Sequence, residues 1–297
     1  MGSDAGHTSV LLAETLELLA VRPGGLWVDG TVGLGGHAAA ILRASAPDGR
    51  LLGLDRDGET LERAGERLAE FAGRIRLEQS DYRELPQRLG EARADGILLD
   101  LGISSAQLDD PQRGFSFQAD GPLDMRMDRS RGESAEEVVN RTREAVLADI
   151  LYAFGEEPAS RRIARAIVFE RERERIRSTG RLAEIVRRAA PRSRRPGLHP
   201  ATRTFQALRI RVNRELEGLE DALERAAACL VPGGRLVVIA FHSLEDRAVK
   251  QAFRSLAAQG FRPLTRKPLR PGEEETRRNP RSRSARLRAI AREEAAA

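Results

Sequence analysis

The chain has 297 residues, of which 40% are hydrophobic and 32% charged, and its formal net charge is +5. This length accommodates one large or two ordinary domains with a real core. There is no apolar run of about 18 residues and no leader-like start, which argues against membrane insertion and export, so we expect a cytoplasmic protein.

The cysteine and histidine content of the chain argues against disulfides and metal sites. Cys229 is the only cysteine, which excludes an internal disulfide and fits a reducing compartment. The four histidines are scattered along the chain and have no cysteine partners. We therefore expect no zinc site and no other metal.

A glycine-rich turn lies between the first predicted strand and the helix that follows it. Apolar positions at helical spacing predict a helix over residues 7–20, and the strand follows at residues 26–28. Glycines at 30, 33, 35 and 36 remove Cβ atoms that would block a close approach, so a nucleotide or nucleoside can lie against bare backbone at a helix N-terminus. An ordinary tight turn is the alternative.

Asp29, directly before these glycines, favours one kind of ligand. The pattern Gly33-x-Gly35-x-x-Ala38 also fits a loose dinucleotide fingerprint. A carboxylate at position 29 would repel a pyrophosphate, but it can face the cationic amine of S-adenosylmethionine (SAM). We therefore predict that Asp29, Gly33, Gly35 and Gly36 contact SAM.

The second and third predicted strands also end next to acidic residues. Asp55 closes the second strand, 25 residues after the first glycine of the turn. A carboxylate there holds the ribose diol in nucleotide-binding α/β sheets, so we predict this contact for Asp55 and assign the N-cap of the next helix to Asp57. Asp81 and Tyr82 follow the third strand and suit an adenine through hydrogen bonding and ring contact. A surface tyrosine is the alternative for Tyr82.

A continuous apolar run ends at Asp100. Residues 96–99 predict the fourth strand. Such a run is typical of a buried parallel strand, which delivers one side chain to the crevice at the carboxyl ends of the strands. We predict Asp100 as the catalytic residue. A structural cap on the following loop is the alternative.

The sequence pattern changes after the fourth strand. Residues 107–128 are rich in Asp, Gly, Pro and Gln, and no strand-like run appears before Leu236. We therefore predict a mostly helical substrate-recognition domain at residues 106–215, inserted into a sheet domain formed by residues 1–105 and 216–297. The helices of the insertion are predicted over residues 135–154, 160–176 and 182–190.

The sheet domain is predicted to be a Rossmann-like, doubly wound α/β fold. Its strands are predicted over residues 26–28, 50–54, 75–78, 96–99 and 235–241, with two more short strands in the tail between 261 and 290. Its later helices are predicted over residues 61–71, 216–230 and 247–256. Pro232-Gly233-Gly234 is predicted to turn the chain before the fifth strand.

Positive charge is concentrated in two stretches. Residues 161–214 hold 17 arginines against 4 glutamates, and residues 262–292 hold 11 basic residues against 3 glutamates. Such segregation on an otherwise acidic chain is typical of a nucleic-acid-binding surface. Codon bias towards arginine is the alternative, because Lys250 and Lys267 are the only lysines, but it leaves the scarcity of acids unexplained. The cations predicted to grip RNA phosphates are Arg187, Arg188, Arg192, Arg194, Arg195 and Arg203.

Six sequence blocks occur in the order found in one protein family. They are Asp-Gly-Thr-x-Gly-x-Gly-Gly-His at 29–37, Asp-Leu-Gly-Ile-Ser-Ser-x-Gln-Leu-Asp at 100–109, Arg-Gly-Phe-Ser-Phe at 113–117, Phe-Gln-Ala-Leu-Arg-Ile at 205–210, Phe-His-Ser-Leu-Glu-Asp-Arg at 241–247 and Asn-Pro-Arg-Ser-Arg-Ser-Ala at 279–285. With these blocks the chain closely resembles the bacterial ribosomal RNA small subunit methyltransferase H family over nearly its whole length. It departs from the family at residues 8–10, where an aliphatic residue and a proline are usual, and at Ala106, where proline is common.

This resemblance implies a class I SAM-dependent methyltransferase, with SAM as cofactor and the small ribosomal subunit as partner. The implied substrate is the N4 amine of a cytosine in the decoding region of 16S rRNA. Carried over by position, the implied SAM contacts are Gly35, Gly36, His37, Asp55, Tyr82, Asp100 and Gln107.

The implied reaction needs help from the protein, because the lone pair of an exocyclic cytosine amine is delocalised into the ring. We predict that Asp100 and the carbonyls of Leu101 and Gly102 accept hydrogen bonds from the amine as it becomes tetrahedral near the sulfonium methyl. Asp100 could instead be held by the methionine end of SAM. Three aromatic residues could stack on a flipped-out cytosine, with core packing as the alternative: Phe115, Phe117 and Phe241. His242 could assist proton transfer.

Other functional classes remain open on the sequence. A nicotinamide-dependent oxidoreductase would share the glycine turn and Asp55, but it would gain nothing from the arginine-rich insertion. A non-catalytic, SAM-binding ribosome-assembly factor would keep the basic stretches, and another nucleic-acid amino methyltransferase would keep the whole pattern. A homodimer is also open.

Overall fold

The computed structural model describes residues 9–190 and 199–294. These residues divide into two compact units. The first comprises the described residues up to Gly102 together with those from Gly218 onward, and the second is Ile103–Glu217 without its undescribed residues. Each unit has a hydrophobic core of its own. The substrate-recognition function predicted for the insertion stays a prediction.

Seven strands form one mixed sheet in the first unit. They are β1 (Leu26–Asp29), β2 (Arg50–Asp55), β3 (Ile75–Gln79), β4 (Ala94–Asp100), β5 (Leu230–Ala240), β6 (Phe261–Pro263) and β7 (Arg286–Arg292). Their spatial order is β3-β2-β1-β4-β5-β7-β6, with β1 to β5 parallel and β7 antiparallel to both neighbours. The strand order reverses between β1 and β4, which is where open α/β sheets form a ligand crevice at their carboxyl ends. We call this side of the sheet the carboxyl edge. The sheet confirms the predicted α/β class.

Thirteen α-helices are found in the described ranges. They are α1 (Leu12–Leu19), α2 (Gly36–Ala44), α3 (Gly58–Arg67), α4 (Leu85–Leu89), α5 (Ser105–Asp109), α6 (Ala135–Arg141), α7 (Glu144–Gly155), α8 (Ser160–Arg171), α9 (Thr179–Ala189), α10 (Thr202–Asn213), α11 (Leu219–Ala228), α12 (Ser243–Ala257) and α13 (Glu273–Arg278). Helices α5 to α10 belong to the second unit. Among the described helices, none combines the length and apolarity needed to cross a membrane.

Burial explains why the central strands are continuous apolar runs. Ile97, Leu98 and Leu99 on β4 are fully buried, and so is Leu236 on the neighbouring β5. A parallel strand that is covered on both faces needs apolar side chains on both, so alternation disappears. Asp100 follows this run at the carboxyl edge.

The second unit encloses its core between α7 and the two helices that pack against it, α8 and α10. Asn213, at the end of α10, holds the loop around Met125 and Met127 in place. Its side chain accepts a hydrogen bond from the backbone N–H of Met127 at 2.8 Å and donates one to the carbonyl of Met125 at 2.7 Å. This buried amide fastens a loop that has little regular structure of its own.

Several element boundaries differ from the sequence prediction, and two of the differences have a clear local cause. The predicted helix at 135–154 is two helices, because Thr142 and Arg143 are extended. Arg171 donates to the carbonyls of Val139 and Thr142 at 2.8 and 2.7 Å, which satisfies the end of α6. The first helix begins at Leu12, after the left-handed Leu11, and residues 7 and 8 lie outside the described ranges.

The Pro232-Gly233-Gly234 stretch is part of the fifth strand rather than a turn that precedes it. These residues lie within β5, where its register against β4 shifts between Ala94 and Gly96. Gly233 has a φ of 78°, so the extra residues are accommodated as an irregularity in the strand. The two predicted tail strands are confirmed as β6 and β7.

Candidate active site

Three aspartates that end parallel strands define the candidate site. Asp29 ends β1, Asp55 ends β2 and Asp100 ends β4. Because β2, β1 and β4 are adjacent in the sheet, these carboxylates meet at the carboxyl edge beside the switch point. The strand ends therefore bring together three acids that are far apart in sequence.

Asp29 is buried, with 1% of its surface exposed. Its Oδ1 accepts a hydrogen bond from the backbone N–H of Thr31 at 3.1 Å, whereas Oδ2 is buried and has no hydrogen-bond partner in the described chain. Burial raises the pKa of Asp29 to about 7, and the nearby Asp55 adds to this effect. A buried, unsatisfied carboxylate oxygen is costly, so it marks a place for a donor or a cation.

Asp100 has the same property. Its Oδ1 is buried and lacks a hydrogen bond within residues 9–190 and 199–294, while Oδ2 lies 3.6 Å from Nδ1 of His37. Its backbone N–H donates to Oγ1 of Thr31 at 2.6 Å, which links the ends of β1 and β4. Burial, followed by the charges of Asp29 and Glu245, raises the pKa of Asp100 well above its usual range.

Asp55 shapes the glycine turn. Its Oδ2 accepts from the backbone N–H of Gly33 at 2.8 Å, and its Oδ1 accepts from that of Asp57 at 2.9 Å. Burial raises the pKa of Asp55 to about 6. Each carboxylate oxygen has a second lone pair that can accept from a hydroxyl. Asp57 caps α3 through the N–H of Thr60, which confirms the predicted cap.

The glycines of the turn allow close packing within the protein. A Cβ on Gly30 would lie 2.4 Å from Cδ2 of Leu99, and one on Gly36 would lie 2.1 Å from Oγ of Ser9. Gly35 has a φ of 80° and is the N-cap residue of α2, whose N-terminus receives no side-chain cap. At Gly30 and Gly36, neighbouring side chains therefore occupy the space that a Cβ atom would fill. Any ligand contact of the turn would then be made by its backbone groups.

His37 is buried between two polar partners. Its Nε2 lies 3.0 Å from the carbonyl oxygen of Val10, and its Nδ1 faces Asp100. Because a carbonyl only accepts, Nε2 carries the proton. The imidazole therefore ties the segment before α1 to the candidate catalytic carboxylate.

Tyr82 and Asp81 lie at the end of β3. Tyr82 is buried, and burial raises the pKa of its hydroxyl. The Arg83 guanidinium carbon lies 4.9 Å from the Tyr82 ring centroid, and Asp81 pairs with Arg83 at 3.1 Å and with Arg56 at 3.2 Å. The Asp81 carboxylate is thus already engaged, so an adenine would share it with two arginines.

Glu245 is a further acid near Asp100 that was not predicted from the sequence. Glu245 is 2% exposed, and its Oε2 accepts from the backbone N–H groups of Phe241 and His242 at 2.8 and 3.3 Å. Nδ1 of His242 accepts from the N–H of Glu245, so the two residues form a capping box at the start of α12. A glutamate three residues after a cap position was the available sequence signal, although histidine rather than serine or threonine stands at the cap.

The other predicted site residues have well-defined partners in the second unit. Gln107 is buried, and its Oε1 accepts from the N–H of Ser104 at 3.0 Å in the capping box of α5. Phe115 belongs to the core, and Phe117 contacts the rings of His199 and Phe205 at 4.6 and 4.8 Å. These positions are consistent with packing, and any ligand contact stays a prediction.

The predicted RNA-binding arginines are only partly described. Arg187 and Arg188 are exposed near the end of α9, and Arg188 pairs with Glu184. Nη1 of Arg203 donates to the carbonyl of Glu156 at 2.9 Å, so this side chain joins two helix ends. The remaining three, which are Arg192, Arg194 and Arg195, lie outside the described residues.

The chain matches one protein family and is similar to named relatives. The model of a family described as the MraW methylase family matches residues 4–293. Two similar proteins are both named ribosomal RNA small subunit methyltransferase H. The one from Symbiobacterium thermophilum is 51% identical, over 96% of each chain. The one from Syntrophotalea carbinolica is 52% identical, over 96% of this chain and 98% of the relative.

Proposed function

Because the chain belongs to the MraW methylase family, we propose that it transfers a methyl group from SAM to the N4 amine of a cytosine in 16S rRNA. The names of the relatives support the small ribosomal subunit as substrate. The N4 position rests on the resemblance of the sequence blocks. A reaction on ribosomal RNA would take place in the cytoplasm, and a homodimer stays a prediction.

One observation carries the proposal. Two buried carboxylate oxygens, Oδ2 of Asp29 and Oδ1 of Asp100, lie at the carboxyl edge without hydrogen-bond partners in the part of the chain that the structure describes. Burial raises the pKa of both groups, which disfavours their charged forms in the protein alone. A cationic ligand would do so.

The residues at this edge fit SAM. Asp29 would face the α-amine, Asp55 the ribose diol and Tyr82 the adenine ring, while backbone groups of the turn and His37 complete the site. Gln107, which the resemblance also implies, lies in the second unit. Bound SAM supplies an electrophilic methyl group on a positively charged sulfur.

Asp100 is the residue that we assign to the target amine. In the absence of a cation, burial and the charges of Asp29 and Glu245 raise the pKa of Asp100 and so disfavour its charged form. A positive charge nearby lowers this pKa and favours the carboxylate. It then accepts a hydrogen bond from N4 and, with the carbonyls of Leu101 and Gly102, holds the amine in line for attack. The proton released by the methylated amine can pass through Asp100 to water.

Labelled methyl transfer into unmethylated small ribosomal subunits, followed by nucleoside mass spectrometry, tests the proposal. We expect N4-methylcytidine with the wild-type chain and a loss of at least about 100-fold in rate for Asp100→Ala. Asp48→Ala is the matched control, since Asp48 is exposed in the turn before β2. Normal turnover by Asp100→Ala would contradict the catalytic assignment.

The same experiment separates the alternatives. A non-catalytic assembly factor would bind subunits without incorporating label, and methylation on a ring carbon would give a different nucleoside. Calorimetry with SAM and with NAD tests the oxidoreductase, and we expect heat of binding with SAM alone because Asp29 repels a pyrophosphate.

A further inference from the structure

The segment between β6 and β7, residues 264–285, lies at the carboxyl edge. Asp100 pairs in register with Ile239 on β5, which pairs with Leu287 on β7. Leu287 in turn forms an antiparallel bridge with Leu269, through backbone hydrogen bonds of 2.9 and 3.0 Å. One continuous rung of the sheet therefore joins Asp100 to Leu269. The chain beyond Leu269 leaves the sheet at its carboxyl edge, and it returns at Arg286, beside Ala240.

A second set of contacts ties the same segment to the site. Oε1 of Glu275 on α13 accepts from the backbone N–H of Leu11 at 2.8 Å. The carbonyl of the preceding residue, Val10, contacts His37, which faces Asp100. Helix α13 is thus three contacts away from the candidate catalytic carboxylate.

The 264–285 segment carries exposed cations that its own acids do not neutralise. Of its three acids, Glu274 pairs with Arg278 and Glu275 accepts from the N–H of Leu11, which leaves one glutamate, Glu273, against the remaining cations. Five exposed cations have no side-chain hydrogen bond or ion pair within residues 9–190 and 199–294. They are Arg266, Lys267, Arg270, Arg277 and Arg283.

The Asn-Pro-Arg-Ser-Arg-Ser-Ala block determines how two of the arginines are presented. Residues Pro280–Ser284 form a short 3-10 helix, in which Ser282 is fully buried and its Oγ donates to the carbonyl of Asn279 at 2.8 Å. Ala285 is also buried, whereas Arg281 and Arg283 are exposed. Anchoring of the small residues fixes the backbone, and the arginines project from it.

We propose that the 264–285 segment is a phosphate-binding surface that holds the rRNA strand flanking the target base. The inference rests on the proposed function. A guanidinium group can donate two parallel hydrogen bonds to the oxygens of one phosphate. Because a nucleic acid presents one phosphate per nucleotide, a row of arginines without acidic partners can bind several phosphates of one strand. Because this surface belongs to the unit that carries Asp100, contacts there position the strand relative to the reacting centre. The insertion can still bind RNA elsewhere.

The test compares two triple variants that remove the same charge. Arg270→Gln/Arg277→Gln/Arg283→Gln changes the surface, and Arg50→Gln/Arg63→Gln/Arg254→Gln is the control. Its three arginines are exposed, and none of them lies in the 264–285 segment. Affinity for unmethylated small ribosomal subunits is measured across a salt titration. For the first variant we expect about 10- to 100-fold weaker binding near 0.1 M salt, and a slope of log affinity against log salt that is smaller by about 2.

Each outcome has a defined meaning. SAM affinity by calorimetry should equal that of the wild type in both variants, which shows that the fold is intact. If the wild-type chain neither binds nor methylates the subunit, the proposed function fails. If it does both, and the two variants show the same affinity and the same slope, the phosphate-binding surface is overturned.

Discussion

Asp29 lowers the stability of the protein without ligand, although its carboxylate suits a cationic ligand. It is buried at the end of β1, and only one of its two oxygens is paired in the described chain. Burial raises its pKa from 3.8 to about 7. Between these values the folded state binds a proton that the unfolded state does not, so stability falls as pH rises through this window. The cost is fully present above the folded pKa and absent below the unfolded one.

Replacing this carboxylate by its neutral isostere should therefore stabilise the empty protein. We expect Asp29→Asn to raise the free energy of unfolding at pH 8 by roughly 1–3 kcal/mol, with little effect near pH 4, because the asparagine has no charge to desolvate. SAM affinity should fall by about 100-fold because the amine loses its counter-charge. Urea unfolding at both pH values and calorimetry measure the two effects. Equal loss of stability at both pH values would contradict the prediction, and Asp48→Asn should change neither quantity.

The turn from β5 into α12 is the element that shapes one side of the site. Glu245 accepts hydrogen bonds from two backbone N–H groups of this turn and contributes negative charge beside Asp100. Phe241, at the same turn, packs against Gly102, whose φ of 106° is left-handed. Gly102 follows the candidate catalytic residue by two positions. The capping box therefore sets the local geometry at the ends of both β4 and β5.

Removing the Glu245 side chain should destabilise the turn more than replacing its carboxylate by a neutral amide. We expect Glu245→Ala to lower the free energy of unfolding by about 2–4 kcal/mol, because two backbone donors lose their partner, and Glu245→Gln to cost about half as much because one carbonyl oxygen remains. Denaturant unfolding measures both. Glu66→Ala, at an exposed position on α3, is the control and should stay within about 0.5 kcal/mol of the wild type. Equal effects of the alanine and glutamine variants would argue against the hydrogen-bond explanation.

At the scale of the whole molecule, the small net charge conceals a strong separation of sign. The basic stretches at 161–214 and 262–292 belong to different units, so RNA can be contacted by both the insertion and the sheet unit. The structure also divides the arginines by what they contact. Arg209 is mostly buried and forms a two-pronged ion pair with Glu215 at 2.9 and 2.7 Å, whereas Arg187 is exposed. Charge counts alone do not make this distinction.

Exposed and structural arginines of the insertion should respond differently to substitution. We expect Arg187→Gln/Arg188→Gln to weaken binding to small ribosomal subunits by about 3- to 10-fold and to reduce the salt slope by about 1. Arg203→Gln should instead lower thermal stability, because it removes the bond to the Glu156 carbonyl. Salt titrations and thermal unfolding separate the two effects. Unchanged affinity for the Arg187/Arg188 variant, alongside the Arg50→Gln/Arg63→Gln control, would favour codon bias as the origin of these arginines.

The order of the strands along the chain, and the acids at the ends of three of them, can be predicted from local sequence patterns. These features depend on neighbouring residues, since a buried parallel strand is a continuous apolar run and the next polar residue marks its end. Strand patterns in the sequence indicate strand ends at Asp55 and Asp100, whereas the glycines that follow Asp29 single out that residue. An amphipathic stretch after Asp57 indicates that this residue is a helix cap.

Local patterns do not predict which atoms of these residues lack partners or which groups surround them, because both depend on the folded chain. The unpaired oxygens of Asp29 and Asp100, and the nearness of Glu245, depend on residues that the chain brings together from separate elements. The bond from Leu11 to Glu275 spans 264 residues, and no local pattern predicts it. Such contacts follow from how the strands pair and how the helices cover them, because burial and partner choice are properties of the packed molecule.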